Sequence, residues 1–334
     1  MTHALVRILK HLRQGPVPTG ELAAATGLTQ GELRSHLESL TQKGFDIAVH
    51  PLLGCEIRVS PESLVAEDIA SRMKTHWLKD ISTLAVTPST NSLALEYGTR
   101  GERGPLAFFA EAQTAGRGRF GRVWESGEGE GLWMSLLLHL NEPIRFWPRI
   151  TTLAALSVAK VIESIQTDPR LFPQIKWPND ILCGGKKVAG ILAETGSHAQ
   201  AGPFVVLGIG LNVNQKSFPP SLAHTASSLR VLCGSRVDRA DLAGRLLEHL
   251  YQSLSKIETG FDSILASVKA RSSVIGTTLS VNIGGEFVEG LAEDLDPDGC
   301  LRLRMENGTL RTLSAGEVTL RSPRVAVGAP AEDR

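Results

Sequence analysis

The chain has 334 residues, 42% hydrophobic and 21% charged, with 35 Lys/Arg balanced by 35 Asp/Glu. That length exceeds one average domain and predicts two or three; the charge balance excludes a chain-wide field toward nucleic acid or an anionic membrane, so any basic site is local. Cys55, Cys183, Cys233 and Cys300 are scattered, with no C-x-x-C, which reads as reduced thiols of a cytoplasmic protein rather than a disulfide framework.

The first residues, "MTHALVRILKHLRQ", carry too many charges for a signal peptide, and no stretch approaches the roughly 18 apolar residues of a membrane span. Leu5, Ile8, Leu9 and Leu12 form one helical stripe. Thr19 is placed to cap a second helix, "TGELAAATG". A third follows the turn at Gly27, with Thr29 and Glu32 as a capping box and Leu33, Leu37 and Leu40 inward. Two short strands around Pro51 and Gly54 complete the grammar of a winged helix-turn-helix over residues 1–62.

The outer face of the third helix offers Gln30, Arg34, Ser35 and His36 to DNA. Residues 1–60 nevertheless hold six Lys/Arg against five Asp/Glu, a net of +1. Phosphate contacts dominate DNA affinity, so this balance implies weak or dimer-dependent binding, or a domain used for packing and regulation.

Residues 63–271 mix strands and helices. "PLAFFAEAQ" and "LWMSLLLHL" are apolar runs of strand length. "WPRITTLAALSVAKVIESI" has helical spacing at Ile150, Leu153, Leu156, Val158 and Ile162. "QIKWPNDILCGGKKVAGILAET" reads as two strands joined at Gly184-Gly185. "FVVLGIGLNVN" is a buried strand, and "DRADLAGRLLEHLYQSLSKIE" an amphipathic helix capped by Asp238. Such hairpins beside helices predict a mixed, partly antiparallel sheet with helices packed on it, and an α+β chain. In 272–323, short alternating strands broken by Gly-Gly, Asp-Pro-Asp-Gly and Asn-Gly turns predict a small SH3-like β-barrel. Residues 324–334 read as a flexible tail.

Between the first two strands lies "AGRGRFGRVW". Gly116, Gly118 and Gly121 spell G-x-G-x-x-G, and Val123 extends it to a kinase-like form. A dinucleotide fold needs a helix opening after the glycines, yet the stretch from Gly121 to Gly131 holds four glycines, both ends included. A kinase needs H-R-D and D-F-G, which are absent. What survives is physical: glycines let backbone N–H groups approach an anion, and Arg117, Arg119 and Arg122 supply charge-assisted donors. An Arg/Gly loop for nonspecific RNA contact is the bland alternative. In "KWPND", Lys176, Asn179 and Asp180 project from a strand end, and the hairpin brings Lys187 back across Asp180. A shared anionic ligand accounts for these lysines beside arginines; surface turn lysines at 186 and 187 are the alternative.

"STN" (89–91), "QTAGRGRFGRVW" (113–124), "KWPNDILCGGKKVAGIL" (176–192), "GIGLNVN" (208–214) and "ASSL" (226–229), in this order, resemble a biotin protein ligase. With the winged helix in front, the chain is similar to the bifunctional class that joins ligase and biotin operon repressor. The resemblance implies a class II synthetase-like central domain. It also implies two half-reactions: biotin and ATP with Mg²⁺ give biotinyl-5′-AMP, then the acyl group passes to a lysine of a biotin carboxyl carrier protein. It places Ser89, Thr90 and Gln113 on the ureido ring, with Asn91 supporting the turn and Gly116 and Gly118 in the biotin loop. Arg117 and Arg119 would close over biotin and the α-phosphate. Arg122 and Lys176 would meet pyrophosphate, and Lys187 the carboxylate and acyl phosphate. Asn212 would read adenine and Trp124 wall it; Asn179 and Asp180 would lie near ribose, phosphate or metal. A ligand-promoted homodimer through the central sheet and operator DNA are implied partners, and no membrane. A biotin sensor without efficient transfer and a lipoate-type ligase are the competing readings. Phe120 departs from the family's usual arginine, and the wing lacks the expected lysine and aromatic.

Overall fold

The computed structural model describes residues 2–50, 53–165, 168 and 172–320. Pro51 and the tail expected at 324–334 lie outside them. The N-terminal part holds α1 (His3–Leu12), α2 (Thr19–Thr26), α3 (Gln30–Gln42), β1 (Asp46–His50) and β2 (Gly54–Val59). Leu5, Ile8, Leu9 and Leu12 pack with Leu22, Leu33, Leu37, Leu40 and Phe45 in one core. The Thr29–Glu32 capping box is made: Thr29 Oγ1 accepts from Glu32 N at 3.3 Å, and Glu32 Oε2 accepts from Thr29 N at 2.8 Å. Thr19 is not a cap. It is the first residue of α2, Pro18 holds the N-cap position, and no side chain caps that end. Gly27 stops α2 at φ 66°, a left-handed conformation open to glycine at little cost.

A short α4 (Ala66–Ser71) leads into the central region: β3 (Asp80–Thr87), α5 (Thr90–Thr99), β4 (Leu106–Gln113), β5 (Gly131–Leu138), α6 (Arg149–Glu163), β6 (Gln174–Lys176), β7 (Asp180–Cys183), β8 (Lys186–His198), β9 (Gly202–Asn212), α7 (Leu229–Cys233), α8 (Arg239–Leu254) and α9 (Phe261–Lys269). The seven strands run in the order β3-β4-β5-β9-β8-β7-β6. Only β3 and β4 are parallel; the other pairs are antiparallel, as expected of a mixed sheet. The segment read as two strands makes three, because Trp177-Pro178-Asn179 turns the chain and pairs Lys176 with Asp180 before the Gly184-Gly185 hairpin.

Both faces of the sheet are covered, which is why all eight residues of β5 are buried. One face packs on α6, α8 and α9, with Leu153, Leu156, Val158, Leu246 and Leu250 fully or nearly fully enclosed. Asp238 caps α8 by accepting from Ala240 N and Asp241 N, worth about 1 kcal/mol. The other face carries α5, whose Ala94 packs on Phe108, Leu137, Phe204 and Val206. Helix α5 covers only part of it. Along β9 the same face reads Val206, Gly208, Gly210, Asn212, changing from apolar wall to bare backbone to amide as it leaves the helix. That change opens the cavity described below.

The C-terminal strands β10 (Thr278–Ile283), β11 (Glu286–Leu295), β12 (Leu301–Arg304), β13 (Leu310–Leu313) and β14 (Glu317–Leu320) form one antiparallel sheet in the order β13-β12-β11-β10-β14. Its apolar face, including Leu279, Val281, Leu301 and Leu303, is continuous with the central core. Trp177 Nε1 donates to Gly299 O at 3.1 Å, and Arg149 binds Asp298 at 2.7 Å, so the end of β6 and the start of α6 are tied to this sheet. All four cysteines are free thiols, and burial pushes Cys183 up to about 12. Among the described residues no helix is long and apolar enough to cross a membrane.

Candidate active site

A cavity of about 570 Å³ lies on the α5 face of the central sheet, roofed by the arginine loop and by β14. The loop is a small hairpin. Trp124 N donates to Gly116 O at 2.9 Å and Gly118 N to Arg122 O at 2.7 Å, with a turn of 3-10 helix at Arg119–Gly121. Phe120 sits in that turn at φ 56° and ψ 31°, the left-handed region unfavourable to a side chain. Its ring is 63% exposed, with the Arg119 guanidinium 5.0 Å from its centre.

The floor is built from glycines. Gly190 of β8 and Gly210 of β9 are cross-strand partners. A Cβ on Gly210 would stand 2.5 Å from Trp124 Cε2, and one on Gly190 2.9 Å from Trp124 Cζ3. The indole therefore rests on two bare backbones, edge-on to Trp133 and 5.0 Å from Lys187 Nζ. Neither glycine needs a positive φ; each is required by the close approach.

One end of the cavity is neutral and hydrogen-bonding. Ser89 caps α5 by accepting from Ser92 N. Gln113 Oε1 accepts from Thr90 N at 2.8 Å and from Thr90 Oγ1 at 3.2 Å, while Gln113 Nε2 donates to Ser126 Oγ at 2.8 Å. Asn91 is spent inside the wall, on Leu192 O, Glu194 and Ser135. The α5 N-terminus and its dipole point into this end.

The rest of the cavity is cationic. Arg117 stands where the two parts meet: it lies 3.4 Å from Glu194 Oε2, the oxygen that also accepts from Asn91. Arg119 donates to Asn179 Oδ1 and to Gly316 O, each at 3.2 Å. Arg122 pairs with Glu317, and Lys187 Nζ lies 2.7 Å from Asp180 Oδ1. Four of the five cations are thus held by acceptors of the chain itself. The Lys176 ammonium has no ion-paired or hydrogen-bonded partner among the described residues. Burial pushes its amine below the ordinary lysine value; Asp180 opposes the shift, and Lys187 and Arg122 add to it. Burial likewise lowers Arg119, against Asp180.

Asn212 Nδ2 donates to Ser227 O at 3.1 Å, and its Oδ1 accepts from Gln215 at 3.3 Å, leaving one N–H and one lone pair for a ligand. The "ASSL" stretch runs beside it: Lys187 N donates to Thr225 O and Ser227 N to Lys187 O.

Every candidate small-molecule residue read from the sequence lines this one cavity, with one exception. Gly116 stands at the base of the loop hairpin, where a Cβ would be 2.4 Å from Trp124 O. Gln30, Arg34 and Ser35 are exposed on α3 and His36 half-buried, well apart from the cavity lining. The wing exposes Val49, Leu53 and Val59, with Arg58 its one exposed Lys or Arg among the described residues. Ser135, Glu194, Gly316 and Glu317 were not legible as site residues. Ser135 hides in an apolar run; the others lie far along the chain from the loop they hold.

Comparison with known proteins follows the same division. Residues 83–212 match the biotin/lipoate A/B protein ligase family, 275–321 the biotin protein ligase C terminal domain, and 5–45 the bacterial regulatory protein, arsR family. The chain is 34% identical to the bifunctional ligase/repressor BirA of Bacillus spizizenii over 88% of this chain and 91% of that protein. It is 35% identical to the biotin–[acetyl-CoA-carboxylase] ligase of Mycobacterium tuberculosis over 72% and 88%. The biotin protein ligase from Aquifex aeolicus in complex with biotin and ATP superposes with a TM-score of 0.62 at 28% identity, covering 73% of this chain and 99% of that one.

Proposed function

The chain belongs to the biotin protein ligase family, in its bifunctional ligase/repressor group, and on that premise we propose how its residues divide the chemistry. It is a biotin ligase using biotin and ATP, and a repressor through its N-terminal helix-turn-helix domain. One observation carries the assignment of the site: a single cavity joins a neutral, hydrogen-bonding end to a cluster of five cations. Biotin has that polarity, a neutral ureido head and a carboxylate tail, and the tail must meet a triphosphate.

In the first half-reaction a biotin carboxylate oxygen attacks the α-phosphorus of ATP, the bond to the bridging oxygen breaks, and pyrophosphate leaves. Ser89, Thr90 and Gln113 hold the ureido head. Arg117, Arg119 and Lys187 cancel the repulsion between carboxylate and phosphate by preorganised charge. Arg122 and Lys176 receive the pyrophosphate. Trp124 and Asn212 flank the adenine. In the second half-reaction a neutral carrier lysine amine attacks the acyl carbon, the amide C–N bond forms, the acyl C–O bond to the phosphate breaks, AMP leaves and the amine's proton passes to solvent. Lys187 stabilises the oxyanion, and the closed loop keeps water from the mixed anhydride. Ligand binding exchanges the internal partners Glu194, Asn179, Glu317 and Asp180 for ligand oxygens.

Magnesium fits as a companion of ATP. Asp180 is a lone carboxylate, no group of three His, Cys, Asp or Glu able to hold a metal occurs among the described residues, and Mg²⁺ is commonly held by one or two carboxylates plus substrate phosphates. When bound with ATP it would supply charge neutralisation at the phosphates.

The finer architecture belongs to the same reading: boundaries at 62/63 and 271/272, a class II synthetase-like central sheet and an SH3-like C-terminal barrel. So do a biotin carboxyl carrier protein as acceptor, cytoplasmic residence, and operator contacts by Gln30, Arg34, Ser35 and His36. A homodimer through the central sheet is favoured by β8. Beyond Ile191, whose N–H and C=O are both bonded by Asn179, that strand is paired only by β9 among the described residues, leaving an open edge to His198. The test is transfer of labelled biotin to a purified carrier domain with MgATP, beside operator binding by the same sample. Transfer with biotin-dependent DNA binding supports both halves; no transfer overturns the ligase assignment.

A further inference from the structure

We propose that Glu194 is a positioning residue of the biotin subsite, setting the direction of its hydrogen bonds through Asn91 and tethering Arg117; this rests on the ligase reading above. Glu194 comes from β8, Asn91 from the first turn of α5 and Arg117 from the loop, so three elements meet at one carboxylate.

Asn91 is 4% exposed, and both acceptors of its Nδ2 lie on β8: Glu194 Oε2 at 2.7 Å and Leu192 O at 3.3 Å. A carboxylate and a carbonyl only accept, so Asn91 must present its amide nitrogen to β8 and its Oδ1 to Ser135. A Cβ on Gly208 would fall 2.0 Å from that Oδ1, so β9 must be bare backbone where the amide lies.

The consequence passes down the wall. Ser135 Oγ lies 2.5 Å from Asn91 Oδ1 and 2.7 Å from Thr90 Oγ1, and it has one proton for the two. Asn91 Oδ1 has no proton to give, so it takes the one from Ser135. The Thr90 hydroxyl is then the donor toward Ser135 or Gln113 Oε1. Thr90 lines the cavity, and its two lone pairs are then both open to a ligand N–H. With the Asn91 amide reversed, Ser135 would turn its proton to Thr90 and occupy one of them. Glu194 therefore sets how much acceptor capacity Thr90 offers a ureido N–H. The same carboxylate holds Arg117 at 3.4 Å until an acyl carboxylate replaces it.

The experiment measures biotin-dependent ATP–pyrophosphate exchange in the full chain, with KM for biotin and for ATP determined separately in wild type, Glu194→Ala, Glu194→Gln, Asn91→Ala and the double variant E194A/N91A. The expected result is a rise of about tenfold or more in the biotin KM of E194A, with the ATP KM within about twofold. E194Q should recover most of the biotin KM because its Oε1 still accepts from Asn91. The double variant should be no worse than the poorer single one. A biotin KM unchanged in folded E194A overturns the inference. So do parallel rises for biotin and ATP, or E194Q as poor as E194A, which would mark lost structure or lost charge instead of lost amide direction. Failure of exchange in the wild type would instead strike the ligase reading itself.

Discussion

Lys187 and Asp180 face each other across the β7–β8 hairpin, Nζ to Oδ1 2.7 Å, with the Trp124 ring over the same ammonium. The pair is one-third and one-fifth exposed on its side chains, so the lysine is held but not sealed, and a ligand anion can compete for it. Lys187→Ala should lower the rate of adenylate formation by about a hundred- to a thousandfold, the usual loss of one preorganised donor to a developing charge. Single-turnover formation of biotinyl-5′-AMP is the check. A variant with the wild-type rate would remove Lys187 from the chemistry.

Lys176 gives a pH dependence whose sign follows from its surroundings. Burial lowers its free-state pKa beneath the ordinary 10.5, and bound phosphate oxygens would raise it. ATP affinity should be full below the free-state pKa and fall as pH rises from that value toward the bound-state one, earlier than for an exposed lysine. Lys176→Arg, which keeps its charge, should flatten this alkaline limb. A KM for ATP with the same pH profile in both proteins would assign the titration to another group.

The contrast between legible and hidden residues has a physical cause. Residues presented by local turns could be read from sequence, because their geometry is set within a few positions: the Gly184-Gly185 hairpin alone brings Lys187 back to Asp180. The Thr29–Glu32 capping box and the Asp238 cap were legible for the same reason. Strand β6 was missed because three residues carry no period, and the turn that reveals it looks like strand continuation. Glu194 is legible only once β8 is laid beside α5, more than a hundred residues away in sequence. Ser135 is the one polar side chain in a fully buried strand, and that anomaly was the available signal. Glu317 needs the docking of a separate sheet to reach Arg122.

The glycine floor makes a steric prediction. In Gly210→Ala the new methyl would lie 2.5 Å from the indole of Trp124, so the ring must move off the sheet. The KM for ATP should rise roughly tenfold, about 1.4 kcal/mol, with less effect on biotin. Tryptophan emission should shift in the same variant. An unmoved spectrum with a normal KM would mean that Trp124 is not held by this contact.

The last prediction concerns the joint between the two functions. Asp68 of α4 is fully buried and binds Arg13 at the end of α1 and Arg72 at 3.0 Å; Arg72 continues to Asp238 at 2.8 Å, the cap of α8. Burial lowers Arg13, with Asp68 opposing it, whereas hydrogen bonding and charge from Asp68 raise Arg72 above its ordinary value despite burial. Removing one partner of such a network leaves buried charge uncompensated, so Asp68→Ala should cost about 3–5 kcal/mol in urea unfolding. Because Asp68 joins an N-terminal-domain arginine to the helix beside the ligase sheet, the loss should also uncouple the domains. Limited proteolysis should then cut near residues 60–64 while the purified central region keeps its pyrophosphate exchange. If stability fell without faster cleavage there, Asp68 would be holding the ligase core alone, and the orientation of the DNA-binding domain would have to be set by the neighbouring Lys43–Glu67 and Thr2–Glu67 contacts.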